Sequence, residues 1–154
     1  MISFSLAADR YRDLCQGVQA WVAPLVDLWL RIVIGLVFMR SGLQKISDWP
    51  ATLQLFEYEY QVPLLPPGLA AALAATAELA APIFLFVGFA SRLAALPLLV
   101  MTLVIQFVLG AANPAFNHSD HFFWMILLAV IITRGPGRLS IDHLIATLLE
   151  RTSR

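Results

Sequence analysis

The stretch RIVIGLVFMRSGLQK, residues 31–45, places cationic side chains in a run that is otherwise apolar enough to sit in lipid. The 154-residue chain around it is 60% hydrophobic and 13% charged, with a mean hydropathy of +0.79, whereas soluble domains contain about 25% charged residues. We therefore predict a single integral membrane domain over residues 1–154. Ten basic and ten acidic residues with no basic run argue against nucleic-acid binding. The single cysteine excludes an internal disulfide.

Four windows of the chain approach the ~20 residues that a helix needs to cross the hydrocarbon layer. They are residues 22–43, 68–88, 93–112 and 116–133. The sequence therefore predicts an all-α integral membrane four-helix bundle. Short amphipathic interfacial helices are expected at the N-terminus, in the first outer loop after Asp48, and over about residues 140–152, where Ser140 would act as the N-cap. The N-terminal stretch does not resemble a cleaved signal peptide.

The distribution of basic residues predicts the orientation of the spans, because cytoplasmic loops carry an excess of Lys and Arg. Lys45 and Arg40 would lie on the outer side. Both termini and the second connection would be cytoplasmic in a bacterial inner membrane, which collects Arg10, Arg12, Arg92, Arg134, Arg138, Arg151 and Arg154 on that side.

The cations of the first span differ in their expected roles. At about 100° per residue, Arg31, Gly35, Gly42 and Lys45 fall on one helical stripe, whereas Arg40 points away and can reach the headgroups. Arg31 is expected near the midplane, so it requires a partner. A local pair with Asp27 is one possibility.

The other candidate partner for Arg31 is Glu78, which lies at a similar distance from the start of the second span. Small residues allow membrane helices to approach closely, and Gly35 and Gly42 are such helix-packing positions on the first span. We predict a bundle-facing ion pair between Arg31 and Glu78, with Lys45 as a further polar ligand candidate.

Polar residues near the third connection have two explanations. Gln106 lies in the outer half of the third span, and His118, Asp120 and His121 precede the fourth. They would either rim an outward-facing funnel that ends at Arg31 and Glu78, or cap a short helix. No metal site is predicted, because an HxxH pair without a clustered carboxylate or Cys is a poor ligand set.

The order of these features resembles the DoxX family. The likeness covers about residues 30–145 and rests on the stripe in the first span, on Glu78 with Gly88 and Arg92, and on RGPGRLSIDHLI after the fourth. This resemblance implies a four-helix bacterial inner-membrane protein associated with quinol oxidase and thiosulfate:quinone oxidoreductase systems. The segment LFEYEYQVPLLPP is similar to DoxX-like proteins encoded beside a metal-stress, peptide-modifying pathway. The absence of a Cys pair argues against self-contained sulfur chemistry.

We therefore expect an accessory subunit of a redox or metal/oxidative-stress pathway, with protein partners, a capacity to self-associate and no intrinsic cofactor. Its bundle would bind a quinone or another small amphipathic molecule. Arg31 and Glu78 would anchor the ligand, Gln106 and His121 would lie nearer the entrance, and Glu78 or His121 would relay a proton. A small-molecule transporter and a membrane scaffold are the alternative functions.

Overall fold

Six α-helices make up most of the chain in the computed structural model, which describes residues 2–152, with side chains from residue 10 onward. Arg154, which the orientation prediction used, lies outside the described residues. The helices are α1 (Ile2–Ser47), α2 (Trp49–Gln54), α3 (Pro67–Val87), α4 (Ser91–Ala112), α5 (Asp120–Arg134) and α6 (Ile141–Thr152).

The helix α1 is longer than predicted. Instead of a separate amphipathic helix followed by a span, one continuous helix of 46 residues runs from Ile2 to Ser47 with Pro24 inside it. Gly17 does not interrupt it either, since a lone Gly costs a helix only about 1 kcal/mol. Only the second half of α1 packs in the bundle, and the residues from Arg10 to Val22 are exposed.

The bundle is formed by α1, α3, α4 and α5, with α1 against α3 and α4 against α5 as the main pairs. The all-α membrane fold predicted from the sequence is thereby confirmed. Small and branched side chains fill the centre, as expected where helices pack closely in lipid. The core comprises Ile34, Phe38, Ala81, Leu85, Ala95, Leu98, Leu128 and Ile131.

Three helical segments of the described chain are long and apolar enough to cross a membrane: Arg10–Ser47, Pro67–Val87 and Ser91–Ala112. The fourth predicted span, 116–133, corresponds to α5, which begins later, at Asp120, and has 15 residues. At 1.5 Å per residue α5 is about 22 Å long. It lies against α4 and α1 within the bundle.

Two π-helical turns interrupt the regular α-helical hydrogen bonding. Leu55–Tyr60 continues α2 as a π-helix, and Val104–Leu109 is a π-helical turn within α4. In the second turn the Gly110 N–H donates to the Ile105 carbonyl. Such turns insert an extra residue and occur frequently at functional sites.

The two predicted capped helices are present. The Asp48 carboxylate accepts a hydrogen bond from the Ala51 N–H at 3.1 Å and caps α2. The Ser140 hydroxyl accepts one from the His143 N–H at 3.2 Å at the start of α6. The apolar residues of α6 remain exposed, as expected for a helix that lies along a membrane surface.

Candidate functional site

Glu78, on α3, forms an ion pair with Lys45, on α1. The Lys45 Nζ lies 2.7 Å from Oε2 and 2.9 Å from Oε1 of Glu78. The Ser41 hydroxyl donates to the same carboxylate at 3.1 Å and accepts from Lys45 at 2.9 Å. Glu78 is 3% exposed, so the carboxylate is satisfied by partners within the bundle rather than by water.

The predicted pair between Arg31 and Glu78 is wrong. Arg31 is fully buried, and its guanidinium donates to two backbone carbonyls, that of Leu85 at 3.0 Å and that of Leu139. Leu85 lies in the last turn of α3, where its carbonyl also accepts from the Gly88 N–H at 3.2 Å and the helix dipole is negative. Arg31 therefore ties the segment after α5 to the C-terminal end of α3, which is a structural role.

The error came from the depth assigned to Arg31. Counted from the start of the 22–43 window, Arg31 falls at the midplane. In the structure Arg31 lies beside Leu85, two residues before the end of α3 at Val87, and so at one end of the bundle. We call it the Arg31 end. Lys45 is almost four turns further along α1 and has the depth of Glu78.

A second polar group is built around His121, at the first turn of α5. Its Nδ1 lies 2.7 Å from the Oε1 of Gln106, whose amide nitrogen in turn donates to the Asn117 side-chain oxygen. Because an amide oxygen can only accept, this arrangement requires Nδ1 to carry the proton. In neutral His121, Nε2 is then a hydrogen-bond acceptor. Gln106 lies in the π-helical turn of α4.

Both polar groups lie at one cavity of about 510 Å³ inside the bundle. Lys45, Ser41 and Glu78 line it from α1 and α3, and His121 lines it from α5. Its volume falls within the range of about 300–1,000 Å³ typical of small-molecule sites. The rest of the wall is mostly apolar or aromatic, and includes Phe38, Phe56, Leu73, Met101, Phe116 and Trp124.

Tyr60 adds a further polar group to the cavity wall, from the π-helical turn that follows α2. Burial, with smaller contributions from the negative charges of Glu59 and Glu78, raises the pKa of the Tyr60 phenol. The phenol therefore stays protonated at neutral pH and can donate a hydrogen bond. Its ring packs edge-on against Phe116, with the ring centroids 5.3 Å apart.

The remaining candidate residues are divided between the cavity and the surface. His118 lines the cavity and is exposed, as a residue at an entrance would be. Arg40 and Asp120 are exposed and do not line the cavity. A Cβ at Gly42 would lie 3.0 Å from the Glu78 Cβ, and one at Gly35 would lie 2.4 Å from the Phe86 ring. Both glycines therefore permit the close approach of α1 and α3.

The predicted site did not include Ser41, Asn117, Tyr60 or Trp124. Ser41 had a usable signal, because it lies four residues before Lys45 and hence on the same helical face. Asn117 begins the NHSD motif, but its bond to Gln106 depends on the loop between α4 and α5. Trp124 lies one turn after His121, with ring centroids 5.0 Å apart.

The comparisons with known proteins agree with the membrane fold. The DoxX family model matches residues 26–111, which include the Arg31, Lys45, Glu78 and Gln106 positions. A Haemophilus influenzae protein described as uncharacterized is 29% identical over 137 residues, covering 84% of this chain and 87% of that relative. No solved structure matches significantly.

Proposed function

This chain belongs to the DoxX family of membrane proteins, and from that premise we propose that its bundle cavity binds the polar head of a quinone-like amphipathic molecule. In this proposal the protein is an accessory subunit of a redox or metal/oxidative-stress pathway. The observation that carries the proposal is the cavity of about 510 Å³, which is apolar apart from a few polar groups. Such a wall suits a ligand with a polar head and an apolar body.

The two polar groups of the cavity have complementary hydrogen-bonding character. Lys45 carries three N–H donors, which bond to Ser41 and to both Glu78 oxygens, so a ligand would have to replace one of these acceptors. It would donate to a carbonyl oxygen of an oxidised quinone. His121, with Nδ1–H held by Gln106, presents Nε2 as an acceptor for the hydroxyl of a reduced quinol. The site would thus distinguish the two redox forms by which polar group they engage.

Proton transfer is the chemistry that these residues would contribute. Reduction of a quinone to a quinol consumes a pair of electrons and a pair of protons. A protein partner would supply the electrons in this proposal, and Glu78 and His121 are the titratable groups placed to exchange protons with the ligand oxygens. Arg31 has no ligand role in this proposal, because it donates to the carbonyls of Leu85, at the C-terminal end of α3, and of Leu139.

Ligand binding is tested by fluorescence quenching of Trp124, which lines the cavity. The chain has four tryptophans, so Trp21, Trp29 and Trp49 are first changed to Phe. Decylubiquinone should quench the remaining fluorescence saturably, and an alkyl chain without the quinone ring should not. Ala77→Phe, which fills the cavity, should abolish saturable quenching. Equal quenching in the Ala77→Phe protein would contradict the proposal.

The proton-relay role is tested separately with Glu78→Gln. Quinone reduction is followed in membranes that contain the physiological partners, with Arg40→Gln as a control at an exposed position on α1. We expect turnover to fall by about tenfold or more in Glu78→Gln and to be unchanged in Arg40→Gln. Unchanged turnover in Glu78→Gln would defeat the relay while leaving ligand binding open to the fluorescence test.

We further propose that the protein lies in the bacterial inner membrane with both termini in the cytoplasm, following the distribution of its arginines. Cys15 is the single cysteine and is exposed on the N-terminal half of α1. A membrane-impermeant maleimide should therefore label it in lysed cells but not in intact spheroplasts. Labelling in intact spheroplasts would reverse the orientation.

A further inference from the structure

A cleft of about 780 Å³ lies at the Arg31 end of the bundle, away from the cavity proposed for the amphipathic ligand. One wall is the N-terminal half of α1, from Gln16 to Asp27. The opposite wall is formed by the start of α4 and by the segment from Arg134 to His143. These parts of the chain are distant in sequence, so the cleft exists only in the folded protein.

Three arginines line this cleft: Arg92, Arg134 and Arg138. All three are exposed, and none forms an ion pair with a described residue. Arg92 lies against the backbone after α5, because a Cβ at Gly135 would be 3.2 Å from its Nε and Nη2. Gly135 has φ +86, so both its conformation and its lack of a side chain favour this placement.

Neither acidic residue lining the cleft forms an ion pair with these arginines in the described part of the chain. Both Asp142 oxygens accept hydrogen bonds from backbone N–H groups at the start of α4, from Ala90 at 2.8 Å and from Ser91 at 3.3 Å. The Asp27 carboxylate lies against Gly137, where a Cβ would be 2.6 Å from Oδ2. Asp142 and Asp27 both act electrostatically on buried Arg31. Three guanidinium groups therefore remain for an external anion.

The cleft is positioned at the boundary of the membrane-spanning bundle. Arg92 is the second residue of α4 and Arg134 the last residue of α5. Leu93, also in the cleft, is 69% exposed, and the nearby face of α1 presents Trp21 and Leu25 to the outside. An anion bound by the arginines would thus have apolar surface beside it, which suits the acyl chains attached to a lipid headgroup.

We propose that Arg92, Arg134 and Arg138 form a binding site for a phosphate group, and that the phosphate belongs to an anionic phospholipid. Guanidinium groups match phosphate oxygens in geometry and bind them by charge-assisted, often bidentate hydrogen bonds. Basic pockets between membrane helices are known sites for anionic headgroups. The site is independent of the ligand cavity, so the failure of one proposal leaves the other intact.

Native mass spectrometry of the full-length protein in a neutral detergent tests this site. The protein is incubated with dioleoyl phosphatidylglycerol or, at equal concentration, with dioleoyl phosphatidylcholine. We expect the phosphatidylglycerol adduct to be retained about tenfold more strongly than the phosphatidylcholine adduct. This factor is the size expected for one good charged hydrogen bond. Equal retention of the two lipids would overturn the proposal.

Variants assign the selectivity to the cleft. Arg134→Gln combined with Arg138→Gln changes exposed positions and should remove most of the preference for phosphatidylglycerol, whereas the matched control Arg40→Gln should keep it. Asp27→Asn removes one of the two acidic groups that line the cleft and should strengthen retention. An unchanged preference in the double variant would contradict the assignment, provided that its melting temperature matches the parent protein.

A final arm separates the two sources of phosphate. Inorganic phosphate at millimolar concentration is added to the protein loaded with phosphatidylglycerol. If the adduct persists, the site belongs to the lipid. If inorganic phosphate displaces the lipid and itself stays bound, the phosphate site stands but the lipid assignment is overturned.

Discussion

Lys45 and Glu78 lie on antiparallel helices 33 residues apart in sequence, and the Lys45 Nζ is 2.7 Å from the Glu78 Oε2. The pair is largely shielded, with side-chain exposures of 17% and 4%. It joins α1 to α3 and lies at the wall of the cavity, so it contributes both to the packing of the two helices and to the polarity of the cavity.

Removing one partner of this pair should destabilise the protein more than removing both. Lys45→Met leaves the Glu78 carboxylate buried without its counter-charge, for which we expect a cost of about 3–5 kcal/mol. The double variant Lys45→Met/Glu78→Gln leaves no isolated charge and should recover much of that loss. The free energy of unfolding in mixed SDS and dodecyl maltoside micelles measures both. A double variant as unstable as the single one would show that the charges are not coupled.

Arg31 should hold the segment after α5 against the bundle. Arg31→Met removes the donors to the Leu85 and Leu139 carbonyls, each worth about 1.5–3 kcal/mol when the donor is charged. We expect faster tryptic cleavage after Arg138 in native protein. Arg40→Met, at an exposed position of the same helix, serves as the control. Identical cleavage rates in the two variants would contradict the role assigned to Arg31.

Two glycines of α1 should respond in opposite directions to replacement by alanine. A Cβ at Gly42 would lie 2.9 Å from the Leu79 Cγ, whereas a Cβ at Gly17 meets nothing within 4 Å. Gly42→Ala should therefore cost about 1–3 kcal/mol through overpacking. Gly17→Ala should stabilise the helix by about 0.5–1 kcal/mol because it restricts the unfolded chain. Thermal melting of the pair provides the comparison, and effects of the same sign would be the contrary result.

The tautomer of His121 should depend on Gln106. With Gln106 Oε1 2.7 Å from Nδ1, the imidazole ¹⁵N spectrum of neutral His121 should show a protonated Nδ1 and an unprotonated Nε2. Gln106→Leu removes this acceptor, and the signals should move toward the mixture of tautomers seen for free imidazole. A spectrum that Gln106→Leu leaves unaltered would mean that another group fixes the ring.

Tyr60 should make stability depend on pH at the alkaline end. Its pKa is raised, chiefly by burial, so the folded protein keeps the phenol proton at a pH where the unfolded chain, with a pKa of about 10, loses it. The contribution of Tyr60 to the free energy of unfolding is therefore complete below about pH 10. It is lost as the pH rises through the pKa of the phenol in the folded protein. Tyr60→Phe should show a shallower loss of unfolding free energy above about pH 10, and the difference between the two proteins gives the contribution of Tyr60. Parallel curves would contradict the shift.

The fold was largely predictable because lipid imposes simple requirements on length and composition. Apolar runs near the required length and the caps Asp48 and Ser140 indicated the main helices. The continuity of α1 was not predictable, because residues 2–21 are polar enough to resemble a separate segment. Likewise the 116–133 window included residues that form the turn before Asp120 rather than the helix itself.

The site was predictable in its residue types but not in its pairing. The stripe from Arg31 to Lys45 indicated the face that meets α3, and Gly42 on that stripe packs against Glu78. Which cation meets Glu78 depends on how far α1 and α3 slide along each other. The two pairings differ by 14 residues, about 21 Å along a helix, and composition alone does not specify that offset.

The π-helical turn of α4, Val104–Leu109, carries Gln106 to His121 by accommodating one residue more than a regular helix would. The geometry of this segment therefore depends more on the number of its residues than on their identity. Deleting one residue here would rotate the following residues of α4 by about 100° about the helix axis. Their side chains would then point in a different direction. Substitutions in this turn should therefore disturb the path of α4 less than a deletion would.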